Sequence, residues 1–145
     1  YAAYVLPHAA RLIEGAEGVP VIHYVAGSAS LVELLVRAGA TVVGVDAGVS
    51  LAEAWRRAGT TVGIQGNLDG ARLLAGWDAV ESGARRVLDE AAGRPGHVFN
   101  LGHGIVPGTD PALLQRLAAF VHEESARRRM AGDHVREPAA TEVSA

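Results

Sequence analysis

The chain has no cysteine and no lysine among its 145 residues. Without cysteine it has no disulfides, no thiolate nucleophile and no cysteine-ligated metal site. The net charge of −3 gives no basic field that would attract nucleic acid or an anionic membrane, so neither is expected as a partner. No apolar run is long enough to span a bilayer, and the lack of cysteine fits a reducing compartment. We therefore expect a cytoplasmic protein.

What the chain does contain is enough apolar material for one domain. Hydrophobic residues make up 49% of the sequence, which is typical of a globular protein with its own core. The first residue is Tyr1 and not Met, so we expect the chain to be part of a longer protein. From about residue 126, three consecutive arginines and then Gly, Asp and Pro give no apolar stripe. This pattern predicts a folded region over residues 1–126 and a disordered tail over residues 127–145, beginning in a frayed helix end.

Four short runs rich in Val and Ile show little alternation of polar and apolar residues, a pattern typical of parallel strands buried on both faces. These runs are residues 21–25, 41–46, 61–65 and 97–101. A helical pattern follows each run, and an opening helix is predicted over residues 7–14. The element order, one helix followed by four βα units, predicts an α/β fold with parallel strands. Both a small doubly wound sheet and half of a (β/α)₈ barrel fit this order, since a whole barrel takes about 250 residues.

Cap signals mark the ends of the predicted helices. A Ser or Asp followed three positions later by Glu is the capping-box spacing, in which each side chain satisfies a free backbone N–H of the first turn. The pairs are Ser30 with Glu33, Ser50 with Glu53, and Asp78 with Glu81. The last helix is predicted to start at Asp110-Pro111, and glycines at positions 39, 59 and 93 are expected to end the earlier helices.

Polar residues gather where the predicted strands end, and both architectures place ligands at this edge. The candidates are Asp46, Gln65, Asn67, Asn100 and His103. His103 is the strongest candidate, because the glycines on either side let a ligand come close and imidazole can bind a carboxylate or shuttle a proton. A turn-capping role is its alternative. Asp46 is interpreted first as a loop-fixing carboxylate, and Gln65 and Asn67 have a turn-stabilising alternative.

Two segments carry a resemblance, Gln65-Gly66-Asn67-Leu68-Asp69 and Phe99-Asn100-Leu101-Gly102-His103-Gly104. Together with other matching segments in the same order, they make residues 1–125 resemble the second half of uroporphyrinogen decarboxylases. The other segments are residues 4–8, 19–24, 42–46 and 53–57, then Pro107 and residues 120–123. The resemblance implies the last four βα units of a (β/α)₈ TIM barrel, preceded by a helix.

The resemblance also implies a function. The family removes the four acetate carboxyls of uroporphyrinogen III to give coproporphyrinogen III in haem and porphyrin biosynthesis. It is a cofactor-free carboxy-lyase, and the full-length enzyme is expected to be a homodimer that binds a tetrapyrrole. His103 matches the family's substrate-contacting His. The family's essential Asp, Arg pair, Tyr and Ser/Thr precede the matched region, so no catalytic residue is assigned here and the 145-residue chain alone is expected to be inactive. One departure is Ala47-Gly48, where the family usually has Trp-Arg.

Two alternatives stay open. Related corrinoid and methionine-synthase-type methyltransferases share the barrel but bind Zn²⁺ through His-x-Cys and a further Cys. The matching place here is His23-Tyr24-Val25, so no metal site is expected. The other alternative is a non-catalytic α/β domain that is complete in itself, although half a barrel leaves two strand edges open.

Overall fold

Four parallel strands form one sheet in the computed structural model, which describes residues 1–133. The strands are β1 (Ile22–Tyr24), β2 (Val42–Gly44), β3 (Gly63–Leu68) and β4 (His97–Leu101). The helices are α1 (Leu6–Glu14), α2 (Val32–Arg37), α3 (Leu51–Ala58), α4 (Trp77–Ala91) and α5 (Pro111–Asp133), with 3₁₀ turns at Ser28–Ser30 and Gly70–Leu74. Every predicted helix and strand is therefore present, in the predicted order.

The strand order is β1-β2-β3-β4, and each strand pairs in parallel with the next one along the chain. A doubly wound sheet reverses its strand order at a switch point, whereas consecutive units of a barrel do not. The order therefore selects the predicted half barrel over the doubly wound alternative. Because all strands run the same way, their carboxyl ends form one edge, which we call the mouth.

The core lies between the sheet and its helices. The largest fully buried side chains come from both layers. They are Leu35, Leu51, Ile64, Leu68, Val32, Val43, Val45, Val80 and Val87. The predicted burial of every strand on both faces is wrong at the sheet edges, because Ile22 in β1 and Val98 in β4 are 47% and 40% exposed. Alternate side chains of a strand point to opposite faces, and among the described residues helices cover one face of this sheet.

Two of the three predicted capping boxes are wrong, and the third is half formed. The Ser50 side chain accepts a hydrogen bond from the Glu53 backbone N–H at 3.2 Å, but the Glu53 carboxylate binds Arg56. Ser30 instead ends a 3₁₀ turn, and Leu31 stands at the start of α2. Asp78 lies inside the first turn of α4, after Gly76. The glutamates of these two pairs have other partners: Glu33 binds Arg57, and Glu81 binds Trp77 and Arg85.

The remaining predicted helix ends are confirmed. The Asp110 carboxylate accepts a hydrogen bond from the Ala112 backbone N–H at 2.8 Å, as expected of a residue that caps α5. Residues 39, 59 and 93 are glycines with positive φ, the backbone conformation that suits a helix end.

The boundary predicted at residue 127 is also corrected, because α5 continues without a break to Asp133. Glu124 is 5% exposed and binds Arg127, and its carboxylate lies 3.0 Å from Arg128 and 3.3 Å from Arg85 of α4. Arg128 also pairs with Asp89 of α4 at 2.7 Å. These ion pairs hold the arginine run against α4, which the lack of an apolar stripe did not reveal. Residues 134–145 of the predicted tail lie outside the described residues.

Across residues 1–133, no helix combines the length and the apolar character needed to cross a membrane.

Candidate functional site at the mouth of the sheet

Asp46 lies at the mouth, directly after β2, and its carboxylate is occupied by backbone groups. Oδ2 accepts hydrogen bonds from the N–H groups of Gly27 at 2.6 Å and Ser28 at 3.1 Å, and Oδ1 accepts one from Gly48 at 2.9 Å. The Ser28 hydroxyl in turn accepts a bond from the Asp46 N–H at 3.1 Å. Asp46 therefore fixes the loops after β1 and β2, which was the alternative favoured for it from the sequence.

The Ala47-Gly48 departure has a local explanation in the same loop. A Cβ added at Gly48 would lie 2.9 Å from Oδ1 of Asp46, closer than side-chain carbons normally come. With a larger residue at position 48, the Asp46 carboxylate could not bend back onto the loop in this way. The glycine and the loop-fixing role of Asp46 therefore belong together.

Asn67 is also a structural residue, and it is 3% exposed. Its Nδ2 donates hydrogen bonds to the backbone oxygens of Asp46 at 2.9 Å and Val49 at 2.6 Å. These bonds tie the end of β3 to the loop after β2. The turn-stabilising alternative therefore describes the Nδ2 group of Asn67.

Gln65 and Asn100 differ from Asn67, because both line a cavity of about 1060 Å³. Gln65 is half-buried in β3, and Asn100 is exposed in β4, with its Oδ1 accepting a bond from the next backbone N–H at 2.9 Å. The cavity follows the open edge of β4 from the mouth to the inner side of α5. Its other lining residues include Tyr24, His97, Phe99, His103, Leu114, Leu117, Val121 and His122.

His103 stands at the mouth end of this cavity, with 42% of its side chain exposed. Its Nδ1 lies 2.7 Å from the Gly104 carbonyl oxygen, so Nδ1 carries a proton in that bond. Nε2 lies 3.8 Å from Oδ1 of Asp69 and is left for a ligand. The ring rests against Gly70, where an added Cβ would approach Cε1 to 2.6 Å. The imidazole is therefore held by the loops after both β3 and β4.

Asp69 and Tyr24 are contacts of the site that the sequence did not single out. Asp69 was visible in the polar run after β3, but only the fold shows that it faces His103. Tyr24 lies in β1 and reaches across to the loop after β4, where its hydroxyl donates to the Gly102 carbonyl at 2.9 Å. No sequence pattern connects positions so far apart.

His97 lies deeper in the cavity wall. Its Nε2 is 3.0 Å from the Gly66 carbonyl oxygen, and its ring packs near those of Trp55 and Phe99. Burial lowers the pKa of His97, because a charged imidazolium is poorly solvated there. A neutral ring is therefore favoured, and His97 belongs to the packing around the site.

An ion pair outside the cavity steadies the loop after β1. Arg57 of α3 binds both carboxylate oxygens of Glu33 in α2, at 2.7 Å and 2.6 Å, and donates to the Ala29 carbonyl. The hydrogen bonds from Arg57 lower the pKa of Glu33 to about 2. A bidentate pair of this kind fixes geometry as well as charge, so it sets the position of the loop that Asp46 also holds.

The structure thus divides the five candidates. Gln65, Asn100 and His103 come together on the cavity, whereas Asp46 and Asn67 hold the loops around it. Within residues 1–133, no group of three or more His, Asp or Glu side chains is arranged to hold a metal ion.

Comparisons with known proteins show which family the chain is similar to. The family model described as uroporphyrinogen decarboxylase (URO-D) matches residues 1–124. A uroporphyrinogen decarboxylase of Saccharopolyspora erythraea is 49% identical over 139 residues, covering 88% of this chain and 38% of its own length. One from Streptomyces coelicolor is 51% identical over 129 residues, covering 88% of this chain and 36% of its own length.

A solved structure of a methyltransferase from Methanosarcina mazei superposes with a TM-score of 0.71 at 19% identity, over 83% of this chain and 35% of that one. At that identity the likeness shows the fold alone. The chain spans little more than a third of the length of the curated relatives described above. Because the family model covers most of the chain, the chain belongs to the uroporphyrinogen decarboxylase family.

Proposed function

We propose that this chain supplies the C-terminal part of a uroporphyrinogen decarboxylase. That enzyme is a carboxy-lyase that converts uroporphyrinogen III to coproporphyrinogen III by removing four acetate carboxyls. The observation that carries the proposal is the unbroken family match over residues 1–124. The mouth end of the cavity supports it, because Asn100 and His103 lie there at the carboxyl end of the sheet, the edge at which barrels of this kind bind their ligands.

In this proposal His103 binds a substrate carboxylate. Nδ1 is held by the Gly104 carbonyl, so Nε2 is the nitrogen that faces the ligand. The hydrogen bond from Nε2–H to the carboxylate is charge-assisted, and the Asp69 carboxylate lies 3.8 Å from Nε2. When the C–C bond breaks, the carboxylate leaves as CO₂ and the bonding electrons pass to the protonated pyrrole ring, which acts as electron sink. A proton then adds to the remaining methylene carbon to give the methyl group, and the ring loses the proton that it had gained. The protein then supplies mainly binding and electrostatic stabilisation.

The rest of the binding groups belong to other parts of such an enzyme. The described polar side chains that line the cavity include one arginine, three imidazoles and two amides: Arg129, His97, His103, His122, Gln65 and Asn100. Four acetate groups need more cationic and hydrogen-bonding partners than these. We therefore predict that the 145-residue chain alone does not turn over uroporphyrinogen. Homodimeric assembly and a cytoplasmic location stay predictions of the family resemblance.

The test is a chimera in which this chain replaces the matching segment of the Streptomyces coelicolor relative. We expect the chimera to convert uroporphyrinogen III to coproporphyrinogen III, measured by chromatography of the oxidised porphyrins. His103→Asn should lower the rate roughly ten- to hundredfold without abolishing it, since one charged hydrogen bond contributes about 1.5–3 kcal/mol. His8→Asn, at an exposed position of α1, is the matched control.

Two results would contradict the proposal. A folded chimera with no turnover would show that this segment does not serve the decarboxylation. An unchanged rate in His103→Asn would show that His103 is not a substrate contact. The methyltransferase alternative has only the fold likeness behind it, and stoichiometric zinc in the purified chain would be needed to revive it.

A further inference from the structure

We propose that Tyr24 is a positioning residue for His103, acting through the backbone carbonyl of Gly102. The contact itself is independent of function, whereas its effect on turnover rests on the proposed decarboxylation. Tyr24 and His103 line the same cavity, but Tyr24 lies in β1 and His103 follows β4, the strand at the opposite edge of the sheet. The Tyr24 hydroxyl spans the distance and donates to the Gly102 oxygen at 2.9 Å.

The Tyr24 ring can cross the sheet because the neighbouring strand has no side chain in its way. Tyr24 pairs in register with Gly44 of β2, and a Cβ added at Gly44 would lie 2.9 Å from Cβ and 3.1 Å from Cδ2 of Tyr24. Any other residue at position 44 would therefore displace the ring. The glycine and the tyrosine form a matched pair that directs the hydroxyl toward the loop after β4.

Gly102 is the point where several strands meet. Its N–H donates to the Leu68 carbonyl at the end of β3, at 2.7 Å. A Cβ added at Gly102 would approach the Ala47 backbone nitrogen, after β2, to 2.7 Å. Gly102 is therefore bonded through its N–H to β3 and through its carbonyl to Tyr24 of β1, and the loop after β2 lies close to its Cα.

The Tyr24 contact acts on the residue directly before His103. The Gly102 carbonyl belongs to the peptide bond whose nitrogen is that of His103, so rotation of this peptide turns the imidazole with it. Glycine is the residue most free to rotate, and the Tyr24 hydroxyl removes that freedom on the carbonyl side. The ring then stays between Gly70 and Asp69, with Nε2 toward the cavity.

The first test uses NMR on the full 145-residue chain. Tyr24→Phe keeps the ring over Gly44 and removes only the hydroxyl. We expect the ring resonances of His103 to shift or broaden, while those of His8 stay in place. Tyr4→Phe is the matched control, because Tyr4 is 85% exposed, and it should leave both histidines unchanged. Unchanged His103 resonances in Tyr24→Phe would overturn the proposal, whatever the protein's function.

The second test measures the catalytic consequence in the chimeric enzyme. Tyr24→Phe should lower kcat roughly tenfold with a smaller change in KM, since misplacing a catalytic-site group mainly costs orientation. In a His103→Asn background the same substitution should lower kcat no further, because the imidazole that Tyr24 positions is absent. If Tyr24 had only a structural role, Tyr24→Phe would lower kcat equally in both backgrounds, and that result would overturn the proposal. An inactive unsubstituted chimera would refute the proposed function and leave the NMR test standing.

Discussion

The imidazole of His103 rests directly on Gly70. A Cβ added at Gly70 would lie 2.6 Å from Cε1 and 3.2 Å from each ring nitrogen. Gly70 has no positive φ, so its backbone accepts alanine without strain. We predict that Gly70→Ala moves the His103 ring and lowers the rate of the chimera about as much as His103→Asn does. The free energy of unfolding should change little, because the clash is with the end of a side chain.

The control for this prediction is Gly15→Ala. Gly15 follows α1, its φ is negative, and a Cβ there would meet only backbone oxygens at 3.5 Å and 3.6 Å, which is ordinary contact. Turnover and urea unfolding of both variants separate a moved imidazole from a damaged fold. If Gly70→Ala kept full turnover, the observed ring position would not be the working one.

Asp46→Asn tests the loop-fixing carboxylate. One oxygen of the side chain becomes an NH₂ group, which cannot accept from the N–H groups that face it, so at least one backbone donor loses its partner. We expect a loss of roughly 1–3 kcal/mol in the free energy of unfolding, measured in urea. Amide exchange at Gly27 and Ser28 should accelerate. Asp78→Asn, at an exposed position of α4, should cost at most about 1 kcal/mol.

Glu124→Gln tests the ion pairs that hold α5 to α4. Burial alone would raise the pKa of Glu124, but Arg128, Arg127 and Arg85 outweigh it and keep the pKa below its usual range. Removing the charge should cost roughly 1–3 kcal/mol, near the lower end because the arginines regain water. Glu123→Gln, its exposed neighbour, is the control for thermal unfolding. Equal midpoints for the two variants would show that the ion pairs do not stabilise the helix contact.

His97 should make stability depend on pH. Its folded-state pKa lies below the unfolded value, so its contribution is full above about pH 6.5 and is lost as pH falls through the folded-state pKa. The substitution His97→Phe keeps an aromatic ring beside Trp55. We predict that it makes the unfolding free energy fall less steeply between about pH 8 and about pH 5, the interval that encloses this loss. Burial also lowers the pKa of His23, so part of the slope should remain. If the unfolding free energies of the two proteins changed in parallel with pH, the prediction would be contradicted.

The sequence predicted the element order because Val- and Ile-rich runs and cap residues act locally. It placed the third strand at residues 61–65, whereas β3 runs Gly63–Leu68, because pairing with β4 extends it to Leu68. Ser30 and Asp78 failed as caps because the helix starts lie elsewhere: Ser30 ends a 3₁₀ turn before α2, and α4 already begins at Trp77, one residue before Asp78. The extension of α5 past residue 126 depends on contacts with α4 that no local pattern contains.

The predictions for the site also differ according to whether they depend on local patterns or on distant contacts. The predicted strand ends placed Gln65, Asn100 and His103 near one another, and all three line the cavity, although Gln65 and Asn100 lie inside β3 and β4. Whether a polar side chain there faces a ligand or a backbone amide depends on neighbouring loops. Asp46 and Asn67 face backbone for that reason. Tyr24 was missed because its importance comes from Gly44 leaving room for its ring.

The contact between Tyr24 and Gly102 also bears on how the protein folds. It joins residues 78 positions apart, which makes it one of the least local contacts in the chain. Such a contact forms only after the intervening segments have given up their conformational freedom, because closing a long loop costs entropy before any contact repays it. The site around His103 is therefore expected to be completed late in folding, after the strands that separate Tyr24 from Gly102 have aligned. Partly folded molecules would then have strand structure without a working mouth.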